Sequence, residues 1–375
     1  MIEPTTLSLS GDRFGAIYEF DAGHDEAIGR ANALRVEQTI EFPADLVPDD
    51  DIQHSIIGRI EDIVEIADEL TRVKVSYAVE TSGFELTQLL NVLWGNSSIL
   101  PGIRLVDIDL PSSITDLFPG PTFGVAGLRT LFDAPTRPLL ATALKPMGLS
   151  AQRLADQAEA LARGGIDIIK DDHSLADQSF APFAERVERC AAAIERANAD
   201  TGGHSIYMPS INAPFDQVEE RTRLALNAGA GGLLVLPGLT GFDHLRHVCA
   251  TSDVPVMAHP AFLGSFSASG TAGLAHGLVY GTLMRLAGAD LSVYPNYGGR
   301  FSFSPQECAE IAAALARPLG DLAAALPSPG GGMTLDRVDE IVDFYGSQVT
   351  LLIGGDLHRG DDLTARAAAF RAAVE

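Results

Sequence analysis

Two lysines, an acidic pair and a histidine close apolar runs of this 375-residue chain, and these are the groups from which proton chemistry would be done. Lys145 ends the run Leu139–Leu144, Lys170 ends Ile166–Ile169 and opens Lys170-Asp171-Asp172-His173, and His259 follows Val254–Ala258. An ammonium at the end of a buried run loses solvation, which brings it toward the range useful for proton transfer. In a chain with so few lysines, two at such places point to a site, although rim cations bridged to carboxylates would look the same. Asp172 and His173 beside Lys170 offer oxygen and nitrogen donors that can share a metal ion. Asp171 or Asp172 could equally cap the following loop. Gly331-Gly332 and Gly354-Gly355 allow backbone N–H groups to approach an anion closely, and each pair also suits a tight turn. His244, His247 and His276 fall in helical stretches and His24, His54, His204 and His358 in polar ones, where surface or satisfied core roles are expected.

The elements that would position these groups alternate. From Pro138 onward short runs rich in Val, Ile and Leu alternate with amphipathic stretches, the βα rhythm of a parallel sheet. The runs are Leu139–Leu144, Ile166–Ile169, Ser205–Met208, Gly232–Leu236, Val254–Ala258, Leu291–Tyr294, Leu322–Leu326 and Val349–Ile353. Helices are expected at Gln152–Arg163, Phe183–Asn198, Phe215–Ala228, Leu274–Ala287, Pro305–Ala316, Leu335–Phe344 and Asp362–Val374. Eight such units predict a closed (β/α)8 TIM barrel over residues 131–375, with its reactive groups at the strand ends. An open doubly wound sheet is the alternative. Residues 1–130 read as an N-terminal α+β ferredoxin-like domain, with strands at Ala16–Phe20, Val73–Val79 and Ile103–Ile108 and helices at Asp25–Glu37, Ile57–Leu70 and Glu85–Val92. The stretch Leu117–Gly127 links the two, and a short helix at Val125–Phe132 fits either side.

Composition excludes several function classes. Apolar residues at 46% against 20% charged suffice for a large core, which rules out global disorder. Fifty acidic against 26 basic side chains give a net charge of −24, which repels nucleic acid and anionic membrane alike. The first 14 residues lack a basic start and an apolar run, and no apolar stretch reaches about 20 residues, so a cytoplasmic protein without a membrane partner is expected. Cys190, Cys249 and Cys308 form no CxxC pair and are expected as reduced, buried thiols.

Together, Lys145-Pro146 with Gly148-Leu149-Ser150, Gly164-Gly165-Ile166-Asp167 leading into Lys170-Asp171-Asp172, and the late glycine pairs resemble the large subunit of ribulose-bisphosphate carboxylase. The chain is most similar to the non-carboxylating RubisCO-like proteins of that family, and the similarity includes Glu37 in Glu37-Gln38-Thr39 and Asn96 in Trp94-Gly95-Asn96. The resemblance implies that Lys170 is carbamylated by CO₂ and binds Mg²⁺ with Asp172 and the next residue. The family's Glu is here His173, a poorer partner for magnesium. It also implies that Lys145 handles protons, that His259 lies beside the substrate hydroxyls, and that Gly331, Gly332, Gly354 and Gly355 hold one phosphate. Residues of the second phosphate clamp are replaced by Pro260, Val293 and Gly330, and the second lysine of Lys-Pro-Lys by Met147, so a monophosphate is expected. Arg300 stands for the mobile-loop lysine that stabilises CO₂, which argues against carboxylation. Glu37 and Asn96 are implied to reach a neighbouring subunit's site in a homodimer; without the resemblance Glu37 reads as an exposed helix-end acid.

The expected activity is metal-assisted enolisation with a 1,3-proton shift, an isomerase or tautomerase of a ketose monophosphate such as a methylthio-ribulose phosphate. A decarboxylase of a branched 3-oxo acid phosphate would pass through the same enediolate. A barrel that has lost its chemistry and only binds is the reading from another class, supported by His173 and Met147.

Overall fold

The structure, a computed structural model, describes residues 3–301 and 303–375. Numbered along the chain, its strands are β1 (Arg13–Asp21), β2 (Arg59–Ala67), β3 (Leu70–Ala78), β4 (Ile103–Asp109), β5 (Leu139–Leu144), β6 (Ile168–Asp171), β7 (Ile206–Met208), β8 (Leu233–Val235), β9 (Val256–Ala258), β10 (Gly273–Leu274), β11 (Leu291–Pro295), β12 (Leu326–Gly330) and β13 (Thr350–Ile353). Two compact units result. One holds the chain up to Pro119 with Leu263–Val279 and Pro318–Leu322; the other holds Gly120–Phe262, Tyr280–Arg317 and Ala323–Glu375.

In the first unit, β1, the helix His24–Glu37, β2, β3, the helix Leu86–Trp94 and β4 follow the β-α-β-β-α-β order of a ferredoxin-like fold. The sheet order is β10-β4-β1-β3-β2, antiparallel except where β10 joins β4. Phe14, Ala16, Tyr18 and Phe20 alternate inward along β1, as the two-residue period of a strand requires.

Within residues 57–70, expected as a helix, the chain instead forms the edge strand β2 and the turn into β3. Its register against β3 slips between Ile60 and Asp62 and again between Glu65 and Ala67. These irregularities break strict alternation, so Ile60, Ile63, Val64 and Ile66 mimic a helical period. The helix expected at Leu274–Ala287 is also revised. Gly273–Leu274 pairs with β4, a partner remote in sequence, and a π-helical turn at Leu278–Thr282 precedes the α-helix Leu283–Leu286.

The second unit is the barrel. Its parallel strands run in the order β7-β6-β5-β13-β12-β11-β9-β8. The ring is completed where Leu234 N–H donates to Pro209 O at 2.9 Å and Ile211 N–H to Leu234 O at 3.2 Å. The expected (β/α)8 closure is therefore present, and the open-sheet alternative is not. Strand seven of the barrel lies at Leu326–Gly330 rather than Leu322–Leu326; Pro327 and Pro329 disguise it, since proline removes a ladder donor.

The helix Gly124–Leu131 packs with the barrel, its Leu128 joining Phe132, Leu139, Ile168, Met257 and Leu291 in the core. Asp290, just before β11, accepts from Phe123 N–H and Gly124 N–H at 2.7 and 2.8 Å, which fixes that helix at the N-terminal end of the strands. The opposite, C-terminal end is left as the mouth. All three cysteines are buried and unbonded to one another. Among the described residues, no helix is long and apolar enough to cross a membrane.

Candidate active site

Lys170 sits on β6 with the parity of Ile168, whose side chain is in the barrel core, so its amine points inward. It is 2% exposed and donates to the Asp171 carbonyl at 3.0 Å. Desolvation is the main cause that brings its pKa down to about 8, with the Lys145 charge adding to it and Asp172 and Asp171 opposing it.

Lys145 follows β5, the strand paired with β6, and its Nζ stands 3.3 Å from Asp172 Oδ1. Lys145 is 38% exposed, against 2% for Lys170. The peptide bond Lys145–Pro146 is cis, and Gln157 Nε2–H donates to the Lys145 carbonyl at 2.9 Å.

Asp171 and Asp172 have separate tasks. Asp171 is fully buried and holds the guanidinium of Arg186 at 3.1 Å, the hydroxyl of Tyr207 at 2.6 Å and the N–H of Ser210 at 3.1 Å. Arg186 donates onward to the carbonyls of Ala181 and Ala176, which ties down the loop after β6. Asp172 faces the mouth instead. Burial opposes its charge, but hydrogen bonds from His173 and Ser174 and the charge of Lys145 outweigh that and hold its carboxyl well below the usual range.

His173 and His259 stack with ring centroids 4.9 Å apart and planes 12° from parallel. Desolvation, then the charges of Lys170 and His173, push His259 well below the ordinary histidine pKa, so it is neutral. Its Nδ1 lies 3.2 Å from the N–H of Ala261, which assigns the ring proton to Nε2, a donor free to meet a ligand oxygen. His358 falls in a polar segment of the sequence. Burial and Lys145 lower its pKa, which marks it as a neighbour of this cluster.

The glycines follow β12 and β13. Gly331 and Gly332 have φ of +101° and +66°, which L side chains rarely adopt, and a Cβ on Gly332 would stand 2.9 Å from Gly298 O. Arg337 clasps this turn, donating to Gly332 O at 2.8 Å while pairing with Glu340. A Cβ at Gly331, Gly354 or Gly355 would meet nothing within 4 Å, so the backbone there is open to an approaching group. Arg300 is exposed and lies over the ring of Phe301. In the first unit, Asn96 Nδ2–H donates to Glu37 Oε1 at 2.8 Å, so these two residues, remote in sequence, form one polar pair.

The donor set can be tested against a magnesium ion. Among the described residues, no three His, Cys, Asp or Glu side chains are grouped to hold a metal. Asp171 is committed to Arg186 and Tyr207, which leaves Asp172 as the carboxylate facing the mouth. A carbamate on Lys170 would add the oxygen donors that magnesium favours, and an amine with a pKa near 8 has the neutral fraction that reacts with CO₂. The residues fit the ion on that condition. His173, turned flat against His259 with Nδ1 3.5 Å from Asp172 Oδ2, is half-exposed at the same rim.

The family profile for the ribulose bisphosphate carboxylase large chain, catalytic domain, matches residues 124–295. Over 365 residues the chain is 40% identical to ribulose bisphosphate carboxylase-like protein 1 of Rhodopseudomonas palustris, covering 97% of this chain and 98% of that one. The chain belongs to the ribulose bisphosphate carboxylase large chain family. Within it the chain is an enzyme of the RubisCO-like, non-carboxylating type. It is also 40% identical over 366 residues to a protein of Rhodospirillum rubrum named 5-methylthioribulose-1-phosphate isomerase, covering 97% of this chain and 96% of that one. A crystal structure of a Rubisco-like protein from Rhodopseudomonas palustris superposes with a TM-score of 0.87 at 40% identity, covering 96% of this chain and 97% of that one.

Proposed function

We propose that this RubisCO-like chain is an enolising isomerase that moves a proton between carbon atoms of a ketose monophosphate, with 5-methylthioribulose 1-phosphate as the first candidate substrate. The reading is carried by one observation: the Lys145 ammonium stands 3.3 Å from Asp172, beside Lys170, whose burial brings its pKa to about 8. A lysine fixed by a carboxylate at the mouth is placed to take a proton from the α-carbon as the neutral amine and to hand one back to the enediolate as the ammonium so formed. His259, neutral and with its proton on Nε2, donates to a substrate oxygen. Carbamylated Lys170 and Asp172, with His173 as the third candidate, would hold Mg²⁺, which when bound supplies the polarisation of the substrate carbonyl. The glycine turns at Gly331, Gly332, Gly354 and Gly355 receive the phosphate through backbone N–H groups, and Arg300 adds a cation from the loop after β11. Glu37 and Asn96 complete the partner's site in a homodimer. The protein acts in the cytoplasm.

The test is turnover. Purified protein with Mg²⁺ and bicarbonate is given 5-methylthioribulose 1-phosphate and followed by proton and phosphorus NMR. An isomerised monophosphate, abolished by Lys170→Ala or by a chelator, is the expected outcome. Unchanged substrate that also keeps its α-proton would overturn the reading.

A further inference from the structure

The turn Gly331-Gly332 is packed against the loop that leaves β11. A Cβ on Gly332 would stand 2.9 Å from Gly298 O, one on Gly299 would stand 3.1 Å from the Gly331 carbonyl carbon, and one on Gly298 would stand 3.1 Å from the Arg337 guanidinium. Two glycine pairs therefore meet backbone on backbone, with Arg337 on the remaining side. Glycine backbone has the widest conformational freedom of any residue, so its shape here must be fixed by groups outside the turn.

Arg337 is such a group. It lies just ahead of the helix Val338–Tyr345 and is mostly buried. Its Nη1–H donates to Gly332 O at 2.8 Å, while its Nε–H and Nη2–H donate to the two carboxylate oxygens of Glu340 at 3.0 and 2.9 Å. Its guanidinium carbon also lies 5.6 Å from the ring centre of Tyr297, the residue before Gly298. One planar fork thus joins the turn after β12, the loop after β11 and the helix that follows. The other end of this segment is tied as well. Asp356, buried beside Gly354-Gly355, accepts from Leu335 N–H at 3.3 Å and from Arg366 Nη2–H at 2.5 Å, which fastens the second glycine turn to the first.

The carbonyl that Arg337 holds decides where the neighbouring N–H points. In a trans peptide the C=O and N–H are antiparallel, and the bond between Gly332 and Met333 is trans. With Gly332 O drawn to Arg337, the Met333 N–H faces away from the guanidinium. Among the described residues, no acceptor takes that N–H or those of Gly331 and Gly332. The charge of Arg337 is already matched by Glu340.

We infer that Arg337 is a positioning residue for the substrate's phosphate, acting on the anion through the backbone N–H groups of the Gly331-Gly332 turn rather than through its own charge. This rests on the placement of the phosphate at the glycine turns in the isomerase reading. A turn already held in shape binds an anion more tightly than one the anion must order.

The experiment measures, for the full chain with Mg²⁺ and bicarbonate, the Kd of inorganic phosphate by phosphorus NMR and the kinetics of α-proton exchange on 5-methylthioribulose 1-phosphate. Arg337→Met should raise the phosphate Kd and KM by about tenfold while kcat stays within about threefold, a split that a general structural lesion would not produce. Arg337→Lys keeps the charge but not the fork, and its phosphate Kd should stay within about threefold of that of Arg337→Met. Replacing the exposed Glu340 decides the sign. Glu340→Gln loosens the fork and should weaken phosphate binding by about threefold, whereas a guanidinium acting as a bare charge would bind phosphate more tightly once its counter-charge is gone. Phosphate affinity that is unchanged in Arg337→Met, restored in Arg337→Lys, or unchanged or tighter in Glu340→Gln would overturn the inference, as would a wild type that binds no phosphate. A wild type that binds phosphate but exchanges no proton would count against the isomerase reading, and the phosphate Kd values of the variants would then decide the role of Arg337 by themselves.

Discussion

Lys145 and Lys170 differ because one is half-exposed and paired while the other is sealed in the barrel. Lys145→Met removes the cation beside Asp172 and leaves the core untouched. It should slow α-proton exchange by about 10²–10⁴-fold, the range of a lost acid–base group, with an unchanged melting temperature. His244 carries a separate prediction about stability. It is half-buried on the helix Phe242–Thr251, and its Nε2 is buried without a hydrogen-bond partner. Desolvation and the neighbouring His247 charge lower its pKa, with Asp243 opposing them. Its folded pKa therefore lies below the value of about 6.5 it has in the unfolded chain. As the pH falls through that value the unfolded state takes up a proton that the folded state refuses, so stability is lost toward acid. His259 and His358 shift in the same direction. Urea midpoints at pH 7.5 and 5.5 should fall toward acid in the wild type and fall less in His244→Gln; an identical drop would assign the slope elsewhere.

At the scale of elements, the loop after β6 is held by Asp171 rather than by any cap. Asp171→Asn leaves Arg186 as an uncompensated charge in a fully buried place, which costs about 3–5 kcal/mol. Urea unfolding measures that loss, and a change under about 1 kcal/mol would show that the pair contributes little. This division of labour between Asp171 and Asp172 was not legible in the sequence, where adjacent aspartates look alike and the answer depends on Arg186 and Tyr207 arriving from other elements. The strand ends were legible. Lys145, Lys170 and His259 close apolar runs, and because a parallel barrel collects such ends at one mouth, the runs alone group them. β2 was obscured by register slips at an exposed edge, and β12 by two prolines. Even so, the glycines after β12 fall where expected, because Gly330 ends the strand.

At the scale of the whole molecule, the proposed homodimer makes each site depend on two chains. Glu37→Gln and Lys145→Met would each be inactive alone, one lacking the residue it lends and the other its own proton carrier. Subunits exchanged between the two variants should regain activity, because a mixed dimer contains one site with neither lesion. Mixtures that stay as inactive as the parents, although mixed dimers are present by mass spectrometry, would place Glu37 outside the partner's site. The central claim, that this chain removes and returns a proton next to a carbonyl, is tested most directly by incubating 5-methylthioribulose 1-phosphate with the protein, Mg²⁺ and bicarbonate in deuterated water. Mass spectrometry should show deuterium entering at the carbon next to the carbonyl with the wild type and not with Lys145→Met. Isomerised product that carries no deuterium, or equal labelling by the two proteins, would contradict it.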